Sequence, residues 1–403
     1  MSERVDLRWT PAVVPDLEWN KLFENRASGI TWALGSVSRD SYVAVPEQAR
    51  PLVEATVKRM DGDHSIAEII SEVSLPGRRV DVGSLMRKLD GANLLAENNP
   101  DARPRSEFAA LAFELAKWRI VSNSLVLRVL AALLMPLLVI SSGVVGWALV
   151  SGRMFVGLQF QSYLAFAGQD LTRWGVLLAV CLLSVALHEL GHAVVARFCG
   201  LHPSSVTVAL YLFISPIVYV SIPGLYSISP RRRVMVWAAG PYVNLVLAAV
   251  AALLRPHVAG NWQLVCDAGL LANLLLIGVN LYPFLPLDGY FMASTLLGVT
   301  NLRSQALRLQ PKSRRLVSNG ARIVLWVYTL ATWGTIAAIV LRELWGIITT
   351  LLHALQQNMG VMATLDAIKG YLLFLTVVVF AVVVRRRKLS RSKVRRSNGG
   401  TPC

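Results

Sequence analysis

The chain has 403 residues, of which 54% are hydrophobic and only 16% charged, and its 40 Lys+Arg against 24 Asp+Glu leave a formal net charge of +16. Soluble domains average about 45–50% apolar and about 25% charged residues, so this composition excludes a disordered chain, a chain soluble throughout and a simple cytosolic enzyme. The four cysteines form no CxxC pair, which argues against a disulfide scaffold or a thiolate metal site.

Residues 1–105 predict a small soluble domain. The opening MSERVDLRWTPAVVPDL has no apolar h-region, so no cleavable signal peptide is expected. Ser41–Pro46, SYVAVP, alternates like a strand. From Glu47 to Met60, the positions Leu52, Val53, Val57 and Met60 make one helical stripe. Ser65 and Glu68 form a capping box opening a helix on which Ile66, Ile69, Ile70 and Val73 share a face. Pro76-Gly77 ends it. Asp81 can cap a third helix carrying Val82, Leu85, Met86 and Leu89, stopped by Gly91, and Asn93-Leu94-Leu95 begins another extended piece. Three short helices with flanking strands predict an α+β, winged-helix-like module.

A polar, proline-bearing stretch, ENNPDARPRSEF, leads into residues 106–128, expected as linker and juxtamembrane helix. Beyond it the fold class is mainly α: a polytopic membrane protein of about six transmembrane helices, because uncharged runs of about 20 residues span the hydrocarbon. They lie near 129–150, 174–198, 234–254, 264–287, 323–341 and 367–384, giving a membrane domain over 129–384 with its core at 174–290. An even number of spans puts both termini on one side. With the N-terminal domain cytoplasmic, the inner loops hold Arg231, Arg232, Arg233, Arg303, Arg308, Lys312, Arg314, Arg315 and Arg322. The outer segments hold only Arg153, Arg173, Arg255, Arg342 and Lys369. That is a strong positive-inside bias, and it predicts a multi-pass plasma-membrane protein with both termini in the cytoplasm. The tail, 385–403, adds Arg385, Arg386, Arg387, Lys388, Arg391, Lys393, Arg395 and Arg396 directly after an apolar run. Such a block contacts anionic lipid headgroups. Nucleic acid is not an expected partner, since no soluble face interleaves basic and aromatic residues.

The second span reads WGVLLAVCLLSVALHELGHAVVARFCG and contains His188, Glu189 and His192 as H-E-x-x-H. On a helix, residues i and i+4 share a face, so both imidazoles can reach one metal with Glu189 beside it as general base. Ionisable groups at bilayer depth are costly and face a functional cavity. Catalytic zinc takes three protein ligands and one open position, so one ligand remains to be found. Asp288 sits at the inner end of the fourth span, in PLDG, where the second span also ends. Asp267 lies about 30 Å away along that span, Cys199 is two turns past His192, and His202 follows it. Asp288 is the best third ligand among them. Pro283 and Pro286 break the helix just before it, and broken backbone at membrane depth must line protein or a water-filled cavity. The freed carbonyls and Asn280 could hydrogen-bond a peptide.

These residues resemble the site-2 protease-like intramembrane zinc metalloproteases. The family's HExxH stands as His188-Glu-Leu-Gly-His192, its NxxPxxPLDG as Asn280-Leu-Tyr-Pro-Phe-Leu-Pro-Leu-Asp288-Gly289, and its GPxxN as Gly240-Pro241-Tyr-Val-Asn244. The resemblance covers about 174–290. It implies Zn2+ bound by His188, His192 and Asp288, catalysis by Glu189, and Asn244 near the site. No domain is inserted between the first and last motifs, and ALYLFISPIVYVSIPGLYSISPRRR looks like the peptide zinc metalloprotease subgroup of bacterial peptide-maturation clusters. That subgroup's acidic residue after Tyr-Val is Ser221 here. The N-terminal domain resembles PqqD-like peptide-recognition modules, which bind a leader as an added β-strand. The resemblance implies hydrolysis of a peptide bond in a membrane-associated or ribosomally made precursor peptide, as in peptide natural-product maturation. A peptide exporter and a non-proteolytic docking component are the alternatives.

Overall fold

A computed structural model describes residues 6–25, 29–73, 82–97, 112–119, 125–153, 171–211, 215–283, 287–298 and 319–357, together with 302, 360, 362 and 364. It is mostly helical, with two small sheets.

The N-terminal part is an antiparallel sheet, β1 (Leu17–Asn25), β2 (Gly29–Ser36) and β3 (Ser41–Pro46), in that spatial order. It packs against three helices, α1 (Arg50–Lys58), α2 (Ile66–Val73) and α3 (Val82–Gly91). The predicted stripes become the core: Val43, Val45, Met60, Ile66, Ile69, Val73, Val82, Leu85, Met86 and Leu89 are buried together with Leu34. The extended piece expected from Asn93 is a single bridge, Val13 to Leu95. β1 and β2 carry no clear alternation; β2 pairs with β3 on one side and with β1 on the other. Asp40, in the β2–β3 turn, holds φ at +48°, a conformation that Asp and Asn tolerate better than most residues. The predicted capping box is formed. Glu68 Oε2 accepts from Ser65 N at 2.7 Å and Ser65 Oγ at 2.8 Å.

A second sheet joins β4 (Ala112–Arg119), β5 (Ser205–Tyr211) and β6 (Ser215–Ser221) in antiparallel order. β4 lies within 106–128, where a linker and juxtamembrane helix was expected. In AFELAKWR the charges Glu114, Lys117 and Arg119 stand three and then two apart, so no clean period marks the strand, and pairing with β5 sets it.

The membrane-type helices are α4 (Leu125–Val150), α5 (Leu171–Phe198), α6 (Pro230–Leu254) and α7 (Asn261–Leu281), followed by short α8 (Asp288–Leu297) and long α9 (Asn319–Gln356). Among the described residues four helices are long and apolar enough to cross a membrane: Ala131–Val150, Leu171–Phe198, Pro230–His257 and Asn261–Leu281. Six were expected; 323–341 lies inside α9, and 367–384 falls outside the described residues, as do Pro286 and the basic tail. The fourth expected span, 264–287, is cut at Leu281, because Tyr282 turns extended ahead of Pro283 and the helix restarts only at Asp288. Small residues close the bundle. Ala148 of α4 and Ala248, Ala249, Ala251 and Ala252 of α6 pack with Leu270 of α7, the kind of interface that lets apolar helices approach closely. Leu133, Leu137, Leu178 and Leu182 stay exposed, as a lipid-facing surface requires.

Replacing Ser65 by Ala removes the acceptor and donor at the start of α2. The N-terminal core should lose about 1 kcal/mol, read as faster hydrogen exchange over 66–73 with exchange in α6 unchanged.

Candidate metal centre

α5 places His188 and His192 one turn apart, with the rings edge to face and centroids 4.8 Å apart. Their Nε2 atoms lie 3.2 Å from each other. Asp288 Oδ2, at the start of α8, lies 3.1 Å from His188 Nε2 and 3.3 Å from His192 Nε2. All three side chains and Glu189 are buried. The helix break after α7 is what brings the carboxylate here. A Cβ on Gly289 would collide with the backbone of Leu281, so this glycine lets α8 start hard against the end of α7. Tyr328 of α9 braces the same turn, its hydroxyl donating to Pro283 O at 2.8 Å.

The outer nitrogens decide what the inner ones can do. His192 Nδ1 lies 2.7 Å from the carbonyl of Val236, which can only accept, so Nδ1 carries the proton and Nε2 offers a lone pair. Asn244 Nδ2 sits 3.0 Å from His188 Nδ1, while its own Oδ1 is buried without a partner among the described residues. A half-turn of the amide presents Oδ1 to the Nδ1 proton and frees His188 Nε2 in the same way. Outer hydrogen bonds of this kind fix tautomer and ring orientation in metal-binding histidines.

Two lone-pair nitrogens and a carboxylate oxygen thus face one another, and Asp288 Oδ2 is buried without a hydrogen bond among the described residues. Three such acceptors repel unless a cation sits between them. A tetrahedral zinc with bonds of about 2.0–2.1 Å holds its ligand atoms about 3.3–3.4 Å apart, close to the separations here. The space is kept by Gly240 of α6, where a Cβ would strike the Nε2 atoms of both histidines. The donor set and the cradle fit zinc.

Glu189 also belongs to a compact group with the two histidines, all ligand atoms within 4.8 Å. Its Oε2, however, accepts from the backbone N–H of Val220 in β6 at 2.8 Å. The shorter, paired distances favour Asp288 as third ligand and leave Glu189 beside the centre. The structure places the rivals elsewhere. Asp267 pairs with Arg255, His202 meets Arg197 Nη1 at 2.9 Å, and Cys199 is buried among apolar residues of α5 and α6. Asn280 Nδ2 donates one of its two protons to Leu276 O at 2.9 Å within its own helix. Segment 203–230 contains the β5–β6 hairpin, and its β6 strand touches Glu189. Sequence reasoning missed the carbonyl of Val236, the N–H of Val220 and the spacing role of Gly191, where a Cβ would crowd Val243 and the Ala239 carbonyl of α6. Backbone partners leave no side-chain signal; the glycine in an apolar helix is the one visible hint.

Asp288→Ala should strip bound metal from the purified protein, whereas Asp267→Ala should leave metal content at the parental level. Asn244→Ala should weaken metal affinity about 10–100-fold. Titration against a chelator with elemental analysis checks all three.

Two curated relatives align with this chain. A candidate peptide zinc metalloprotease of Bacillus subtilis is 27% identical over 117 residues, 29% of this chain and 46% of the relative. A zinc metalloprotease of Methanocaldococcus jannaschii is 31% identical over 119 residues, 29% of this chain and 32% of the relative. The chain spans less than half the length of each. No solved structure gives a significant match. The stretch that supplies both imidazoles, Glu189, the Gly240 cradle and Asn244, residues 176–260, matches the family model of peptidase family M50.

Proposed function

We propose that the chain is a zinc metalloprotease that cleaves a peptide bond at a membrane-embedded site, with His188, His192 and Asp288 holding Zn2+ and Glu189 moving the proton. The observation that carries this reading is the triangle of buried acceptors, 3.1, 3.2 and 3.3 Å on its sides, with a carboxylate alongside. Bound there, zinc supplies Lewis acidity, lowering the pKa of water toward neutrality and polarising a carbonyl. The chain's own residues do the rest. Val220 N–H holds Glu189 Oε2, which leaves Oε1 to take a proton from the attacking water and return it to the departing amine. The histidines keep their Nδ1 protons turned outward, toward Val236 O and Asn244.

The substrate must arrive extended, since a scissile bond inside a helix is shielded by its own hydrogen bonds. Among the described residues β6 is an edge strand of its sheet, and a peptide added along it satisfies its backbone inside the bilayer and passes Glu189 at Val220. A membrane-associated or ribosomally made precursor peptide suits this edge, as in peptide natural-product maturation. The N-terminal sheet and helices serve as a PqqD-like module that recognises the precursor, with both termini cytoplasmic at the plasma membrane and the basic tail on anionic headgroups.

Glu189→Gln should retain zinc while cleavage of a co-expressed precursor peptide falls by about 10²–10⁴-fold, followed by mass spectrometry. Unchanged processing by the zinc-loaded variant would transfer the chemistry elsewhere and leave export or docking as the function.

A further inference from the structure

Arg233, in the first turn of α6, is 0% exposed. Among the described residues no carboxylate pairs with it. Its guanidinium is spread over carbonyls: Nε donates to Leu225 O at 3.3 Å, Nη2 to Tyr226 O at 3.4 Å and Ile228 O at 3.1 Å, and Nη1 to Leu22 O at 3.4 Å. The last acceptor belongs to β1 of the N-terminal module. The rings of Tyr226 and Phe23 lie 5.0 and 5.7 Å from the guanidinium carbon, within cation–π range. One buried cation therefore grips both the module and the turn that opens α6.

The seam is wider than this one residue. Leu22, Phe23 and Ala33 are buried with Tyr42 and Tyr226 packed on them. Gly224 N donates to Asp40 Oδ1 of the β2–β3 turn at 3.3 Å. A Cβ on Gly298 would sit 3.5 Å from Phe23. These contacts fall on α6, on the turn after β6 and on the end of α8, three pieces that surround the metal centre, and none falls on α5, which supplies both histidines. Arg233 begins the α6 face that continues through Val236, Gly240 and Asn244, each touching a histidine. Gly224 follows β6 by three residues and Val220 by four, so the module's turn lies within about 14 Å of the Glu189 contact, the span of four extended residues. Gly298 closes α8, the helix that Asp288 opens.

We infer that the N-terminal module is a fixed part of the metal centre's framework, latched by Arg233, and that its docking sets the positions of the metal-binding side chains. Arg233 is a positioning residue: it acts on His192 and His188 through α6 and touches neither. The inference rests on reading the site as a metal centre and does not require that the centre cleave peptides. Arginine is suited to the place because its planar fork reaches several acceptors at once, which a lysine ammonium on a flexible stem cannot do.

The test uses the full chain in detergent micelles, loaded with zinc or with cobalt. Arg233→Met should raise hydrogen exchange over 17–25 and over 225–240, weaken zinc affinity about tenfold, at the lower end of what lost outer support costs a metal site, and shift the visible spectrum of the cobalt form. Arg233→Lys should recover part of each effect. Because Arg233→Met could unfold the seam, Phe23→Ala provides the second arm: it lies in the module, holds no ligand, and should shift the cobalt spectrum in the same direction. Unchanged exchange over 17–25 in both apolar variants would overturn the latch. Raised exchange with parental zinc affinity and spectrum would overturn the coupling. A parental protein that binds zinc and cleaves nothing would sink the protease reading while leaving both arms of this test intact.

Discussion

Everything in the site depends on how closely α5 and α6 approach. Two glycines set that distance from opposite sides. Gly191 removes the side chain that would meet Val243 and the Ala239 carbonyl, and Gly240 removes the one that would fill the space before both imidazoles. Helices in an apolar surround gain no hydrophobic drive from each other and associate through close packing, so small residues at the contact are the means of approach as well as its result. Only at this separation can Val236 O reach His192 and Asn244 reach His188. A larger residue at 240 would move the outer hydrogen bonds and the inner lone pairs together, which makes metal capture and helix packing one property.

A second constraint follows from burial. Two imidazoles and two carboxylates inside a mostly apolar bundle must each be satisfied. The chain meets this with backbone and amide partners on the outside and leaves three acceptors facing inward. Glu189 is treated differently, one oxygen being tied to an edge strand. The same N–H that satisfies it marks where an extended chain would run. On the proposed reading, base and peptide track are linked through Val220, and a shift of β6 would displace both.

Much of this was legible in the sequence, and unevenly so. His188, Glu189 and His192 carry their geometry in their spacing, because the helical period fixes which side chains meet. The α1–α3 stripes are legible for the same reason. Asp288 could be reached from PLDG because proline and glycine say where a helix must stop. The strands were harder. β3 alternates cleanly, but β2 exists through pairing with it and β1 through pairing with β2, and β4 finds its partner about ninety residues further on, at β5, where no local period can signal the match. Asn280 was legible as part of a motif, but its bond to Leu276 O was not, since an intrahelical carbonyl one turn back is always within reach of such a side chain.

Arg233 exposes a limit of charge counting. In the topology of the sequence it stands beside Arg231 and Arg232 as one more inner-face charge, and in that role the three are equivalent. Folded, Arg231 and Arg232 are exposed while Arg233 is fully enclosed. A lone buried cation is expensive unless hydrogen bonds replace its water, and four backbone carbonyls from two parts of the chain do so here. Those carbonyls converge only when β1 lies against the turn before α6. The cost of burying the guanidinium is therefore offset only in the docked arrangement, so Arg233 makes an undocked module the less stable state.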